Sequence, residues 1–361
     1  MSDTKKKKKG DWKKVLLIIF LSLLLLALLA VAGLGIYMNH LLNQVTPYDP
    51  SNDIPIATEE AEKFLEEDPE AVPLDPDSDE DIPDLEELTI PEEVEEDPTN
   101  WDNVINIMLI GQDRRPGQGR QRSDTMILLT VNKAKGTITL TSFMRDQYVR
   151  IPGYKNNKMN AAYAFGGMKL LNETMETNFG VKIDGDVEVD FNNFEKIVNM
   201  LGGVDIKLTK SEVKYLNAGL HLTGTSRELV VGTNHLDGAM ALEYSRLRAI
   251  DSDYRRAERQ RTVVSALISR YKSLPLPEMI GMIDDMLPMV TTNMTKNEII
   301  DYAVEVAPML PSAQLSTMRI PVDGTFRQGI AKVRPGLAAW FQYDIDFEAN
   351  RKTLQGIFAE N

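Results

Sequence analysis

The sequence predicts an α/β domain, a mixed central β-sheet flanked by helices on both faces, preceded by one transmembrane helix. Three observations carry this expectation. Three apolar, β-branched runs follow one another between residues 104 and 143. Beyond them, segments of helical period alternate with short strand-like runs, the pattern of a layered α/β fold with a mixed sheet. Near the N-terminus, the long apolar run Val15–Met38 follows a cluster of lysines.

The N-terminal elements come first. Residues 1–14 hold seven lysines against two aspartates and read as a basic cytoplasmic tail. Residues 15–38 are interrupted only by Ser22, Gly33 and Gly35, and a spanning helix needs about 20 residues. The run is too long for a cleavable signal, and no small-residue cleavage site follows it. Lysines stay on the cytoplasmic side, which predicts a single-pass cell-membrane protein with everything after His40 outside. Residues 39–100 read as an acidic, proline-rich stalk: 51–100 contain 21 acids against Lys63 alone. Such a segment repels itself and buries too little apolar surface to fold, so a plain spacer is expected, with a short helix allowed at 58–65. The net charge of −14 therefore belongs to the stalk, and residues 101–361 carry only +2. With no cysteine there is no disulfide and no thiolate nucleophile or metal site.

Residues 101–361 form the expected folded domain. Runs 104–110, 125–131 and 137–143 read as three strands, and sequential strands most often pair as a meander. Antiparallel order then puts Asp113, Asp124 and Arg145 at one end of the sheet. A helix is expected over 160–179, a strand over 187–189 and a helix over 191–201 ended by Gly202-Gly203. Residues 204–208 are strand-like, while 211–236 look irregular. Later come helices at 277–287, 296–307 and 349–358, and a strand near 317–320. There is no internal repeat.

The stretch Leu242–Arg261 packs six arginines (246, 248, 255, 256, 259 and 261) ahead of an apolar stripe of helical spacing: Val263, Val264, Leu267, Ile268 and Tyr271. Ser252 or Asp253 can cap that helix. At 100° per residue, Arg256 and Gln260 fall on the stripe of Val263 and Leu267. A buried cation needs an anion, and guanidinium forks beside a helix start suit phosphate. The alternative is a solvated helix whose arginines pair with Asp253 and Glu258.

At the sheet edge, Asp113 and Asp124 bracket a loop broken by Pro116, Gly117 and Gly119 and flanked by Arg114, Arg115, Arg120 and Arg122. Two carboxylates with phosphate oxygens suit Mg²⁺, and the arginines would neutralise charge as a phosphoester bond breaks. Alternatively the aspartates only satisfy the arginines. The loop lacks the Gly-Lys-Ser/Thr ending of a phosphate-binding Walker motif. His221 and His235 have no metal-ligand spacing and read as ordinary polar positions. There is no G-x-S-x-G motif. The 17 methionines fill cores or line an apolar groove. A nearly neutral external domain without interleaved aromatics is not a nucleic-acid binder.

Taken together, INIMLIGQD, RSDTMILLTVN, SFMRDQYVRIPGY, KMNAAYAFGG, FEKIVNMLGGVDI, HLDGAMALEYSRLR and DYRRAERQR resemble the LytR-CpsA-Psr (LCP) family of cell-wall proteins, in order and spacing. The likeness is strong over residues 104–272 and looser beyond. It implies a Mg²⁺-dependent phosphotransferase that moves a glycopolymer from an undecaprenyl-diphosphate carrier onto peptidoglycan in a Gram-positive-type envelope. The polymer would be teichoic acid, capsule or another. By position, Asp113 and Asp124 match the family's metal-associated acids. Arg122, Arg145, Arg246, Arg248 and Arg256 match its diphosphate-contacting arginines, Gln260 its glutamine and Arg115 a loop arginine. Asp113, Asp124, Arg145, Arg246 and Arg248 would carry the chemistry. Departures are Met144 where proline often stands, Arg255 in place of glycine, and Arg114 in place of a small residue. A hydrolase of the same carrier would share all these residues, and a non-catalytic envelope sensor is the other competing reading.

Overall fold

The computed structural model of the chain turns the three apolar runs into adjacent antiparallel strands. It describes residues 46–66, 71–74, 82–88, 101–112, 121–223, 228–275 and 285–359, with residues 40, 90, 278 and 282. The chain divides into a unit of residues 1–45 and one of 46–361, and the second is described below. The expected tail and membrane span lie outside the described residues. Among those described, no helix is long and apolar enough to cross a membrane.

The strands and helices fall in chain order as follows. The first segment holds β1 (Thr46–Pro47), α1 (Thr58–Glu66) and β2 (Val72–Pro73). Next come β3 (Val104–Gln112), β4 (Thr125–Asn132), β5 (Thr137–Phe143), β6 (Tyr148–Val149), β7 (Asn157–Lys158) and α2 (Met159–Phe179). The middle of the chain forms β8 (Gly185–Asp190), α3 (Phe191–Met200), β9 (Val204–Leu208), α4 (Lys210–Thr223) and β10 (Gly232–Leu236). It continues with α5 (Gly238–Arg246), α6 (Asp253–Lys272), β11 (Thr291–Thr292) and α7 (Lys296–Val306). The chain closes with β12 (Gln314–Ile320), β13 (Arg327–Arg334), β14 (Leu337–Tyr343) and α8 (Phe347–Phe358).

A seven-stranded sheet runs in the order β1-β11-β8-β3-β4-β5-β12. It is mixed, as expected: β3 pairs antiparallel with β4 but parallel with β8, and β5 pairs parallel with β12. Strand alternation divides the side chains between two layers. Val104, Met108 and Ile110 of β3 join Met126, Leu128 and Phe143 under α2 and α8, in a core with Phe165, Phe179 and Phe358. On the opposite face Ile105, Val131 and Ile138 pack against Tyr302 and Val306 of α7. That same face carries Leu109, Ile127, Val187 and Val189, which look across a cavity at α3, α5 and α6. Helices thus lie on both faces. A second core, built from Val204, Ile206, Leu208, Leu236, Met240 and Val263, fastens the small β9–β10 sheet to the back of these helices.

Several expectations are corrected here. Residues 211–236 are not irregular: they contain most of α4 and all of β10. Thr209 and Glu212 cap α4 reciprocally, the Glu212 carboxylate accepting from the Thr209 N–H at 2.8 Å. Asn217 exchanges two 2.9 Å hydrogen bonds with the Leu229 backbone and so fixes the return to β10. The acidic segment is not a bare spacer over its described parts. Ala61 and Leu85 are buried, Phe64 packs edge-on against Phe165 at 5.2 Å, and the Tyr154 hydroxyl donates to the Ile56 carbonyl at 2.7 Å. A few apolar side chains among many acids suffice to bind it to the body. The helix expected at 277–287 lies mostly outside the described residues.

Candidate functional site

The site grows from the end of the sheet where β3 and β5 finish and β4 begins. The antiparallel meander brings Asp124 and Arg145 together: the Arg145 Nη1 donates to Asp124 Oδ1 at 3.0 Å. Arg145 also faces Asp146 at 3.4 Å and Asp253 at 3.8 Å. Below it, the Lys158 ammonium lies 3.4 Å from Asp146, both groups nearly buried.

Helix α6 contributes the other wall. Its N-cap position is Ser252, whose side chain makes no capping bond, and Asp253 turns its carboxylate to the arginines instead. Asp253 Oδ1 lies 2.7 Å from Arg256, 3.6 Å from Arg248 and 3.8 Å from Arg145, so one carboxylate joins three guanidiniums. Arg256 is 5% exposed. Burial pulls its pKa down to about 10, with Asp253 opposing and the neighbouring charges of Arg145 and Arg248 adding to the fall. Its Nε makes no hydrogen bond and is buried. That buried N–H lacks an acceptor, a cost that a bound anion's oxygen would relieve.

Behind this polar cluster lies a cavity of about 370 Å³. Leu109, Ile127, Val187 and Val189 of the sheet form one wall, and Phe191, Phe194, Ile197 and Leu242 another. Arg256, Gln260, Val263, Val264 and Leu267 line it along α6, on the stripe that helical spacing predicts. Arg246 and Arg248 complete the polar portion, with the Arg246 guanidinium 4.7 Å above the Phe191 ring. At 1.5 Å per residue, Arg256 and Leu267 lie roughly 16 Å apart along the helix. The arrangement suits an amphiphile with a compact anionic head and a long apolar tail.

Of the residues expected here, Asp124, Arg145, Arg246, Arg248, Arg256 and Gln260 border this cavity or the small one under Asp124. Asp113 and Arg115 lie outside the described residues. Arg122 is a departure: it stacks 5.3 Å over the Phe64 ring and donates to the Phe64 carbonyl in the last turn of α1. A helix C-terminus offers carbonyls without intrahelical partners, and these attract a cation. Other arginines of the basic stretch are structural. Arg259 is buried and binds Glu212 at 2.7 Å, the Leu247 carbonyl at 2.8 Å and Asp251. Arg255 pairs with Glu258 at 2.6 Å on the surface. Sequence reasoning missed the central place of Asp253. Its position three residues before Arg256, on one helical face, was the available signal. His235 meets Asp205 at 2.9 Å on the surface, an ordinary polar role.

Mg²⁺ uses few protein ligands and shares phosphate oxygens. Among the described residues no three acidic or histidine side chains converge on a metal position. Asp124, its side chain 40% exposed, borders both cavities. A carboxylate at the edge of an arginine-lined cavity fits a cation that arrives with a diphosphate and is held partly by it.

A profile of the LytR_cpsA_psr family matches residues 78–338. The chain is 35% identical over 212 residues to the polyisoprenyl-teichoic acid–peptidoglycan teichoic acid transferase TagT of Bacillus subtilis (strain 168), covering 58% of this chain and 64% of TagT. The match thus spans less than two thirds of that relative's length. The crystal structure of B. subtilis TagT superposes with a TM-score of 0.56 at 27% identity, over 73% of this chain and 94% of TagT. A structure described as the LytR-CPS2A-psr family protein YwtF (TagT) with bound octaprenyl pyrophosphate lipid superposes with a TM-score of 0.53 at 25% identity. It covers 77% of this chain and 99% of the other.

Proposed function

The chain belongs to the LytR-CpsA-Psr family, and on that premise we propose that it is a Mg²⁺-dependent phosphotransferase. It would move a glycopolymer from an undecaprenyl-diphosphate carrier onto peptidoglycan at the outer face of the cell membrane. The single observation behind this reading is the apolar cavity that ends in Arg246, Arg248, Arg256 and Gln260 beside Asp124. A structurally similar protein carries bound octaprenyl pyrophosphate, a ligand of the same chemistry, which supports this reading.

The prenyl chain occupies the space between the sheet and α3, α5 and α6, where burial of apolar area at about 25 cal/mol per Å² supplies most of the lipid affinity. Arg145, Arg246, Arg248 and Arg256 hold the diphosphate with bidentate forks. An acceptor sugar hydroxyl attacks the glycan-linked phosphorus. The bond from that phosphorus to the bridging oxygen breaks, prenyl phosphate departs, and a glycan–peptidoglycan phosphodiester forms. The guanidiniums neutralise the charge gathering on the departing phosphate. The hydroxyl proton passes to Asp124 or Asp113. Asp124 and Asp113 would also hold Mg²⁺, which when bound neutralises non-bridging diphosphate oxygens.

The test incubates the full chain in detergent with a polyprenyl-diphosphate glycan, peptidoglycan strands and Mg²⁺, and identifies the products by mass. Equal amounts of conjugate and prenyl phosphate are expected, and chelation with EDTA should stop both. Free glycan phosphate without conjugate would make the protein a hydrolase. No turnover would leave it a binding protein.

A further inference from the structure

The exposed face of the β13–β14 hairpin begins at the diphosphate site and leads away from it. The Gln342 N–H donates to the Asp146 carbonyl at 2.9 Å, one residue after Arg145. The Gln342 side chain donates to the Tyr254 hydroxyl at 2.9 Å, and that hydroxyl donates to Gln328. Tyr254 follows Asp253, the carboxylate that joins the arginines. The hairpin is therefore continuous with the proposed reaction centre.

Cross-strand register sets what this face displays. Gln328 lies opposite Gln342, and Ile330 opposite Trp340. Residues two apart on a strand share a face. An exposed Gln328 paired with a buried Gln342 next to Tyr254 is thus followed by an apolar rung whose Trp340 is 43% exposed. The opposite face is already filled, since Ala331, Ala339, Phe341 and Tyr343 pack on Leu85 and Tyr148. Trp340 is not needed to close that core.

We infer that this face is the acceptor platform, on which a peptidoglycan glycan strand lies with a sugar ring against the Trp340 indole and its hydroxyl or amide groups on the exposed Gln328. The inference rests on the transfer reaction proposed above and names where its second substrate sits. Pyranose rings combine an apolar C–H face with polar edges, and an indole beside an exposed amide matches both. Lys332 continues the face of Gln328 and Ile330, and its cation complements the carboxylates of peptidoglycan stem peptides. A polyphosphate donor chain would ask for guanidinium forks along its path, and Arg327 at the start of the strip is already taken by Asp344 at 3.4 Å.

The test measures binding of lipid-free peptidoglycan strands to the full chain by calorimetry, with prenyl-diphosphate binding as a parallel arm. Trp340→Ala should weaken strand binding about tenfold, the size of a modest aromatic hot spot, and leave prenyl-diphosphate affinity unchanged. Trp340→Phe, which keeps an aromatic face, should retain most of the strand affinity. In steady-state transfer, Trp340→Ala should raise KM for the acceptor at unchanged kcat. Equal strand binding by wild type and Trp340→Ala would overturn the platform, as would a matching loss of prenyl-diphosphate binding or no rescue by phenylalanine. Tryptophan-dependent strand binding in a protein that transfers nothing would retain the platform and sink the reaction, so the two claims fail separately.

Discussion

Replacing Asp253 by asparagine removes the one carboxylate shared by Arg145, Arg248 and Arg256. At 2.7 Å, and with the effective dielectric of about 20 that suits partly buried pairs, the Arg256 contact has a Coulomb energy of about 6 kcal/mol before desolvation. The aspartate side chain is 25% exposed and the arginine 6%, so solvation of the acid offsets a good part of this. Removing one member of a buried pair costs about 3–5 kcal/mol, and the exposure puts Asp253→Asn nearer 2 kcal/mol. At about 2–4 °C per kcal/mol, the melting temperature should fall by roughly 4–8 °C. The same change leaves the cluster more cationic, so an anion should recover more than it does in wild type. Differential scanning fluorimetry with and without pyrophosphate reads both effects. An unchanged melting temperature, or a pyrophosphate shift no larger than in wild type, would refute the idea that Asp253 restrains the arginines until a diphosphate takes its place.

Three further outcomes follow from the geometry. Val264→Trp narrows the apolar cavity and should weaken prenyl-diphosphate binding at least about tenfold while sparing pyrophosphate, as read by calorimetry. Arg145→Gln should lower transfer about a hundredfold or more in a product-release assay, in line with removing one charge-stabilising donor. Asp186 is fully buried, and burial lifts its carboxyl to about 7 against the opposing hydrogen bonds of Asn172 and Asn293. Its folded pKa is raised, so the protonated form favours folding. That contribution is lost as pH rises from about 4 through about 7. Asp186→Asn should flatten this part of the pH–stability curve and raise the melting temperature at pH 8, and a parallel curve would disprove it.

The chemistry of the site was legible where periodicity fixes geometry. Three successive strands dictate which loop ends meet, and the 3.0 Å contact of Arg145 with Asp124 realises that placement. Helical spacing alone put Arg256, Gln260, Val263 and Leu267 on one wall. What stayed hidden depended on tertiary partners. Arg122 leaves the cluster because α1 offers a ring and a carbonyl, which composition disguised as a spacer. The α4 helix was overlooked although Thr209-Lys210-Ser211-Glu212 spells a capping box. The β13–β14 hairpin turns at Pro335-Gly336, with Gly336 at φ 81°. Its strands, RQGIAKVR and LAAWFQY, alternate too weakly between apolar and polar residues to announce a strand pair.

In the proposed complex, helix α6 would meet the ligand's head with its first two turns and its tail with the next two. Recognition of charge and recognition of chain length are thereby assigned to different stretches of one rigid rod. Lineages could resize residues 263–267 to follow a change in the isoprenoid of their membrane without disturbing a single group that touches phosphorus.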